Sequence, residues 1–518
     1  MRVSSSLWIL SILTCSCFFR SPGGESAPEG YTRPNIIVFY VDDLGFGDLS
    51  SYGAKGVQTP NVDRLALNGI RFTDAHSSAA TCTPSRYSLL TGEYAFRNNA
   101  EILPGDAPLL IDTSKFTLPK MLKKVGYTNG VIGKWHLGLG SGEVDWNGKV
   151  SPGPLEIGFD YSFLLPATGD RVPTVYLENY EVLNLDKNDP ITVSYNKDLG
   201  QVRATPENAR YVSDKQHSET LINGVGRIGA MIGGKQAWWK DEEFPDVFTQ
   251  KAYSFIEANK DNPFFLYFSF HDIHVPRLPN ERFIGKSKMG PRGDAIVQMD
   301  WITGQIINQL KSLGLEENTL IIFTSDNGPV LDDGYADFAV EKLGDHQPGG
   351  PYRGGKYSSF EGGTRVPFIT YWKGHIQAGV SKALISQVDI MASIASLLGI
   401  KLEENEAADS EDLLPALMGQ SPEGRQYLLE ESYRLALRKG PWKYIEPLPD
   451  GVELKPWLLK KNVDLGAHDI PQLFNLDKDQ SEGINVANDY PGIVQKMKEK
   501  LASIRQGSNQ SNGSIVNE

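Results

Sequence analysis

Cysteine is almost missing from this chain, with three residues in 518. Two of them, Cys15 and Cys17, lie in an apolar N-terminal stretch, which leaves Cys82 alone in the body of the chain. A lone thiol excludes an intramolecular disulfide as its reason for being there. Long apolar runs are also missing: beyond the N-terminus none approaches the ~20 residues needed to span a bilayer. Positive charge is in short supply as well. The net charge of −13 argues against a general nucleic-acid or anionic-membrane surface. An acidic chain that binds an anion must gather its few cations at one place. No internal repeat is visible.

What is present fits a globular chain of two to four domains, or one large α/β domain with an appendage. Hydrophobic residues at 40% and charged residues at 22% allow a substantial core without staples. Residues 1–27 read as a signal peptide and leader: Arg2, an apolar run between Leu7 and Phe19, and small residues at Cys15-Ser16-Cys17 for cleavage. A lipoprotein anchor on Cys15 or Cys17 is the competing reading, although Ile12-Leu13-Thr14 fits a lipobox poorly. Export without disulfides points to a bacterial periplasm or exterior.

Four segments read as strands buried on both faces: 35–41, 127–132, 263–270 and 319–324. Each runs into a polar cluster, in turn Asp42-Asp43, Gly133-Lys134-Trp135-His136, His271-Asp272-Ile273-His274 and Ser325-Asp326-Asn327-Gly328. In open α/β sheets ligands bind beyond the carboxyl ends of the strands, so clusters distant in sequence can converge. Helices are expected over 60–67 behind Thr59-Pro60, over 118–125 and over 294–313. Past residue 405 the character changes. Short β-like pieces at 427–432, 435–438, 442–445 and 474–476 precede a helix over 491–504. The expected architecture is α/β: a large mixed, mostly parallel sheet sandwiched by helices over 30–404, then a smaller antiparallel sheet plus helix over 405–506. Residues 507–518 read as a polar, disordered tail.

Pro84 at an early helical position puts Cys82 near a helix N-terminus, where a thiol pKa falls and an anion is favoured. Arg86, four residues on, shares its helix face. A buried, inert cysteine is the plainer alternative. A cysteine phosphatase loop fails on spacing, because it needs five residues between Cys and Arg where this chain has three. Asp42-Asp43 and Asp326-Asn327 offer hard oxygen donors suited to Ca²⁺ or Mg²⁺, although either pair alone is more often a solvated loop. Lys134, His136, His274 and Lys356 join Arg86 as candidate cations; a lone surface lysine seldom means anything. His271 and His274 have a zinc-like spacing, but no third soft ligand appears, and His271 reads as support for the strand end. Gly350 to Lys356 satisfies G-x-x-x-x-G-K, yet Tyr357 stands where a nucleotide loop needs Ser or Thr, and no buried strand precedes it.

Cys82-Thr83-Pro84-Ser85-Arg86 matches the Cys-x-Pro-x-Arg signature of the sulfatase family, the formylglycine-dependent branch of the alkaline-phosphatase superfamily. Ser85 to Gly92, Gly133 to Gly138, His274-Val275-Pro276 and Gly354 to Gly363 continue the family's patterns, and the chain resembles it from about Pro34 to Leu398. The resemblance implies an alkaline-phosphatase-like fold with a catalytic domain over 30–404. It implies that a separate modifying enzyme oxidises Cys82 to formylglycine, whose hydrate is the nucleophile for sulfate ester hydrolysis. It also implies one divalent cation, usually Ca²⁺ with Mg²⁺ open, on Asp42, Asp43, Asp326, Asn327 and the modified Cys82. By the same resemblance Asp326 assists the nucleophile, Lys134 and Lys356 hold sulfate oxygens, and Arg86 positions residue 82. His274 protonates the leaving alkoxide, and His136 removes the proton that lets sulfate depart.

For the substrate, Asp170 beside Arg171 supplies an acceptor and a bidentate donor for adjacent sugar hydroxyls; a surface ion pair carries equal weight. Trp238-Trp239 could stack on a sugar or pack in a core. Arg277 is a further substrate-binding candidate. The segment 169–246 resembles bacterial sulfatases of host or algal glycans, which makes a sulfated glycan the expected partner and 6-sulfated galactose or N-acetylgalactosamine the specific expectation. The alternatives are a phosphate or phosphonate monoester hydrolase of the same superfamily and an inactive glycan-binding relative. The intact catalytic set argues against the latter.

Overall fold

The computed structural model describes residues 33–461 and 463–507. The expected leader (1–27) and the tail beyond Gly507 lie outside the described residues. Every position of the Asn35–Val41 strand is buried, so it must lie inside a sheet covered on both faces. It does: five parallel strands form the centre of a ten-stranded sheet. Asn35–Val41 is flanked by Phe264–Ser269 on one side and Thr319–Ser325 on the other. Thr128–Lys134 and then Tyr161–Leu165 extend the parallel set. Antiparallel neighbours flank this parallel set on both sides, Phe368–Tyr371 against Thr319–Ser325 and Leu177–Glu178 against Tyr161–Leu165.

The alternation along Asn35–Val41 divides the core in two. Ile36, Val38 and Tyr40 join the face covered by helices Cys82–Thr91, Leu118–Lys124 and Ile390–Leu397. Ile37, Phe39 and Val41 join the face covered by Pro60–Asn68, Phe244–Ala258 and Gly290–Ser312. The last helix starts earlier than its apolar spacing indicates, with Pro291 in its first turn. Thr59 stands at the expected N-cap, but its hydroxyl bonds Ser50 and Asp63. Asp300 from the Gly290–Ser312 helix instead accepts hydrogen bonds from the first-turn N–H groups of Asn61 and Val62 at 3.0 and 2.9 Å.

A separate four-stranded antiparallel sheet is formed by Leu428–Glu431, Leu435–Lys439, Trp442–Ile445 and Gln472–Asn475. Helix Pro491–Gln506 packs on it through Met497 and Leu501.

Candidate active site

Parallel pairing puts the chemistry-bearing strand ends side by side. Val41 lies opposite Ser325, Tyr40 opposite Ser269, and Ser269 opposite Gly133. Strand Thr128–Lys134 runs past its expected end at 132 because Gly133, at φ 110°, lets the backbones close up; a Cβ there would sit 1.9 Å from the Ser269 carbonyl oxygen. That delivers Lys134 directly to the neighbouring strand end. Its Nζ lies 2.5 Å from Asp42 Oδ2. Asp43 and His136 adopt positive φ, 61° and 55°, immediately after their strands. Unstrained residues avoid that region, and such outliers cluster at functional sites.

The cluster is fully buried and densely paired. Arg86 donates from Nε at 3.0 Å and Nη2 at 2.7 Å to Asp326 Oδ2, and lies over the Tyr40 ring. The Lys356 ammonium is 2.9 Å from Asp43 Oδ1, and Asn327 Nδ2 donates to the same oxygen at 2.8 Å. The backbone N–H of Asp43 donates to Asp326 Oδ1 at 3.2 Å. Asp42 Oδ1 and Asn327 Oδ1 are buried with no hydrogen-bond partner. An orphaned buried oxygen is costly, and a cation between these two would answer both. Donor atoms of Asp42, Asp43 and Cys82 lie within 4.8 Å of one another, and the carboxylate oxygens of this set, with Asp326 and Asn327 beside them, are the hard donors that suit a divalent metal.

Cys82 is the first residue of its helix and is buried. The expected depression of its pKa does not occur. Burial pushes the thiol up to about 11, which outweighs the pull of Lys134 and Lys356. An unmodified thiolate is therefore disfavoured here. His136 and His274 are both held well below the usual histidine range, first by burial and then by Lys134 and Lys356 respectively. Both imidazoles are thus neutral at pH 7. His136 Nε2 meets the Leu103 carbonyl at 3.0 Å and its Nδ1 is unpartnered. His271 is buried at its strand end, edge-on to the Phe244 ring. Neither ring nitrogen has a hydrogen-bond partner, and it stands within ligand distance of Asp42 and His274.

A cavity of about 630 Å³ opens over the cluster, with Cys82, His136, His274, Lys356, Asp170 and Arg171 in its wall. That is the size of a pocket for a small ligand. Arg171 is 2.9 Å from Asp170 and bonds Thr168 Oγ1 at 2.7 Å. Sequence reasoning passed over two residues of this wall. His217 Nε2 lies 3.3 Å from Asp170 Oδ2, and Asp333 Oδ2 lies 3.3 Å from the Lys356 ammonium. Neither sits in a recognisable motif.

One substrate expectation needs correcting. Arg277 is not in the cavity wall. Its guanidinium is consumed by the carbonyls of Ile273, Val330 and Leu331 and by Asp337 at 2.8 Å, so it braces the loop that carries His274. Trp239 is core, packed on Tyr176 and Phe244, and Trp238 donates to the Gly233 carbonyl at 3.1 Å. Neither indole borders the cavity.

Comparison with known proteins agrees with this geometry. The sulfatase family model matches residues 34–400. An N-acetylgalactosamine-6-O-sulfatase of Bacteroides thetaiotaomicron is 50% identical over 480 residues, covering 91% of this chain and 93% of that protein. Human arylsulfatase A is 31% identical over 487 residues, 90% of this chain and 86% of that one. A sulfatase structure from work on glycosaminoglycan metabolism by Bacteroides thetaiotaomicron superposes with a TM-score of 0.89 at 50% identity, covering 92% of this chain and 99% of its own. The fold is alkaline-phosphatase-like. The chain belongs to the sulfatase family and is a sulfuric ester hydrolase.

Proposed function

We propose that this enzyme removes the 6-O-sulfate from N-acetylgalactosamine, or from galactose of the same ring configuration, in a sulfated glycan. Cys82 acts in this reading as formylglycine made by a separate modifying enzyme, beside one Ca²⁺. One observation carries the substrate assignment. Asp170 and Arg171 share a cavity with Cys82, in a chain 50% identical to an N-acetylgalactosamine-6-O-sulfatase.

Asp42, Asp43, Asp326 and Asn327 would hold the cation, with Asp42 Oδ1 and Asn327 Oδ1 as its unspent donors. When bound, the cation would neutralise sulfate charge, and the aldehyde hydrate would supply the attacking oxygen. Lys134 and Lys356 donate to the non-bridging sulfate oxygens, where charge sits in the transition state. Arg86, fixed on Asp326, holds the turn that presents residue 82. His274 would give a proton to the leaving alkoxide from Nε2, since its Nδ1 faces the Val275 carbonyl at 2.7 Å. Burial and Lys356 keep the free imidazole neutral, so it must first take that proton up from solvent, which the negative charge of the bound sulfate ester favours. His136 is neutral with a free Nδ1, which suits it to accept a proton. Asp170 and Arg171 read sugar hydroxyls through paired acceptor and donor. The leader read over residues 1–27 adds export to this proposal.

The test combines a mass measurement with turnover. The peptide spanning Cys82 should weigh less than its unmodified form by the difference between a thiol and an aldehyde. Purified enzyme should hydrolyse 6-sulfated N-acetylgalactosamine and prefer an aryl sulfate to the matching aryl phosphate. An active enzyme with a free thiol at 82, or faster phosphate turnover, would sink the reading. Protein retained in the cytoplasm with residues 1–27 intact would remove the export claim.

A further inference from the structure

Strands Trp442–Ile445 and Gln472–Asn475 pair antiparallel with Ile445 directly opposite Gln472. Two residues suffice to turn such a hairpin. This chain instead sends residues 446–461 and 463–471 away from the sheet. Connections of that length are uncommon in compact domains and generally serve a function. The excursion closes at its base, where the Leu448 N–H donates to the His468 carbonyl at 2.7 Å. Its far part reaches the active-site cavity and adds Val452, Leu454, Lys455, Trp457 and Lys461 to the wall.

Several contacts fix the excursion there. Lys461 Nζ lies 2.5 Å from Asp333 Oδ1, and Asp333 also meets the Lys356 ammonium. Lys455 Nζ reaches Glu101 Oε2 at 3.4 Å on the facing loop. Leu458 and Leu465 pack with Tyr357, the neighbour of Lys356, and with Tyr433. Trp457 is half-buried on this base. It packs edge-on against Tyr357 with ring centroids 5.5 Å apart, and it borders the cavity.

A half-buried indole backed by another ring is a rigid plate that costs little entropy to use. A pyranose lays its C–H face on such a plate while its hydroxyls stay wet. The charge of Lys461 is answered by Asp333, so the plate offers a ring face and not a second sulfate site. We propose that Trp457 forms a second sugar subsite, which holds the pyranose joined to the sulfated residue. This rests on the glycan reading above and extends it to at least a disaccharide.

The experiment compares wild type, Trp457→Ala and Trp457→Phe on three substrates. These are 6-sulfated N-acetylgalactosamine, disaccharides carrying that sugar at either end, and an aryl sulfate. Trp457→Ala should lose about tenfold in kcat/KM on the favoured disaccharide, mostly through KM, and Trp457→Phe should recover most of it. Turnover of the monosaccharide and the aryl sulfate should change by less than about twofold, which also certifies the fold. An equal loss on all three substrates makes Trp457 merely structural, and no loss on the disaccharides leaves the plate unused; either result overturns the subsite. Wild-type enzyme that cleaves the aryl sulfate but no 6-sulfated sugar overturns the glycan reading itself, and the subsite with it.

Discussion

Two buried ionic clusters in this molecule use the same residue types for different ends. At the parallel strand ends, Asp42 meets Lys134, Asp43 meets Lys356 and Asp326 meets Arg86. Between the main body and the C-terminal sheet, Glu361 alone receives Arg365 at 2.8 Å, Arg438 at 2.9 Å and Lys443 at 3.1 Å. Asp74 takes Arg365 and Arg438 as well, with His76 at 3.0 Å. Donor atoms of Asp74, His76 and Glu361 converge as closely as those of Asp42, Asp43 and Cys82. Convergence of acids and histidines therefore does not by itself mark a metal site. In the second cluster three cations already occupy the convergence, and none of its members borders the cavity.

The electrostatics differ in the same sense. At Asp42 burial wins over Lys134, and the carboxyl is raised well above the ordinary range. At Glu361 burial would also raise the carboxyl, but Arg438, Lys443, His76 and Arg365 overcome it and hold it well below that range. In the first cluster Asp42 keeps an oxygen without a hydrogen-bond partner, although Arg86, Lys134 and Lys356 lower Asp326 against its burial. The second spends its charge on joining two sheets.

Substitutions should break this contrast in order. Cys82→Ala should lower aryl sulfate turnover by on the order of 10³-fold or more while leaving the melting temperature nearly unchanged. Activity that survives within tenfold would remove residue 82 from the chemistry. Chelation should come next: dialysis against a chelator should reduce activity and lower the melting temperature, with Ca²⁺ restoring both. A melting temperature indifferent to Ca²⁺ would contradict a cation at the orphaned oxygens. In the second cluster the dependence should reverse. Glu361→Gln should cost about 3 kcal/mol or more of stability, because it strands buried cations, while activity per folded molecule persists.

The same cluster predicts opposite pH signatures. The depressed Glu361 carboxyl contributes stability above its unfolded pKa, and that contribution is lost as pH falls through the folded value. Glu482 behaves the other way. Burial raises it to about 8 despite Lys443, so its contribution to stability worsens as pH rises from its unfolded pKa to about 8. Glu482→Gln should therefore gain stability relative to wild type as pH rises across that window, whereas Glu361→Gln should lose it on leaving acid. Denaturant melts of both variants at several pH values check the signs. Arg171→Ala belongs to neither cluster. It should cost about 10- to 100-fold in kcat/KM on a 6-sulfated sugar and far less on an aryl sulfate. A uniform loss would make the Asp170–Arg171 pair a brace and not a reader of hydroxyls.

Much of the architecture was legible before any coordinates. A strand buried on both faces must be continuously apolar, so 35–41 and 319–324 announced themselves, and the acids that followed could only lie at strand ends. The misreadings share a cause. Arg277 follows His274 closely and looks like a substrate donor, but its partners are three backbone carbonyls, which leave no trace in the side-chain sequence, and Asp337, which lies far outside its local window. The helix position of Cys82 argued for a lowered pKa, and burial, a property of the whole packing, overruled it. Trp238-Trp239 and Trp457 are indistinguishable as letters. Only the route of residues 446–461 and 463–471 puts the latter on the cavity wall.

The sequence by itself determined the family, the nature of the fold and the chemical inventory at the strand ends, because these follow from local patterns of apolar runs and short motifs. The tertiary structure decided which oxygens stay unanswered, which arginine faces the cavity and which indole borders it. Those outcomes depend on strand register and on burial among residues hundreds of positions apart, and no local window contains them.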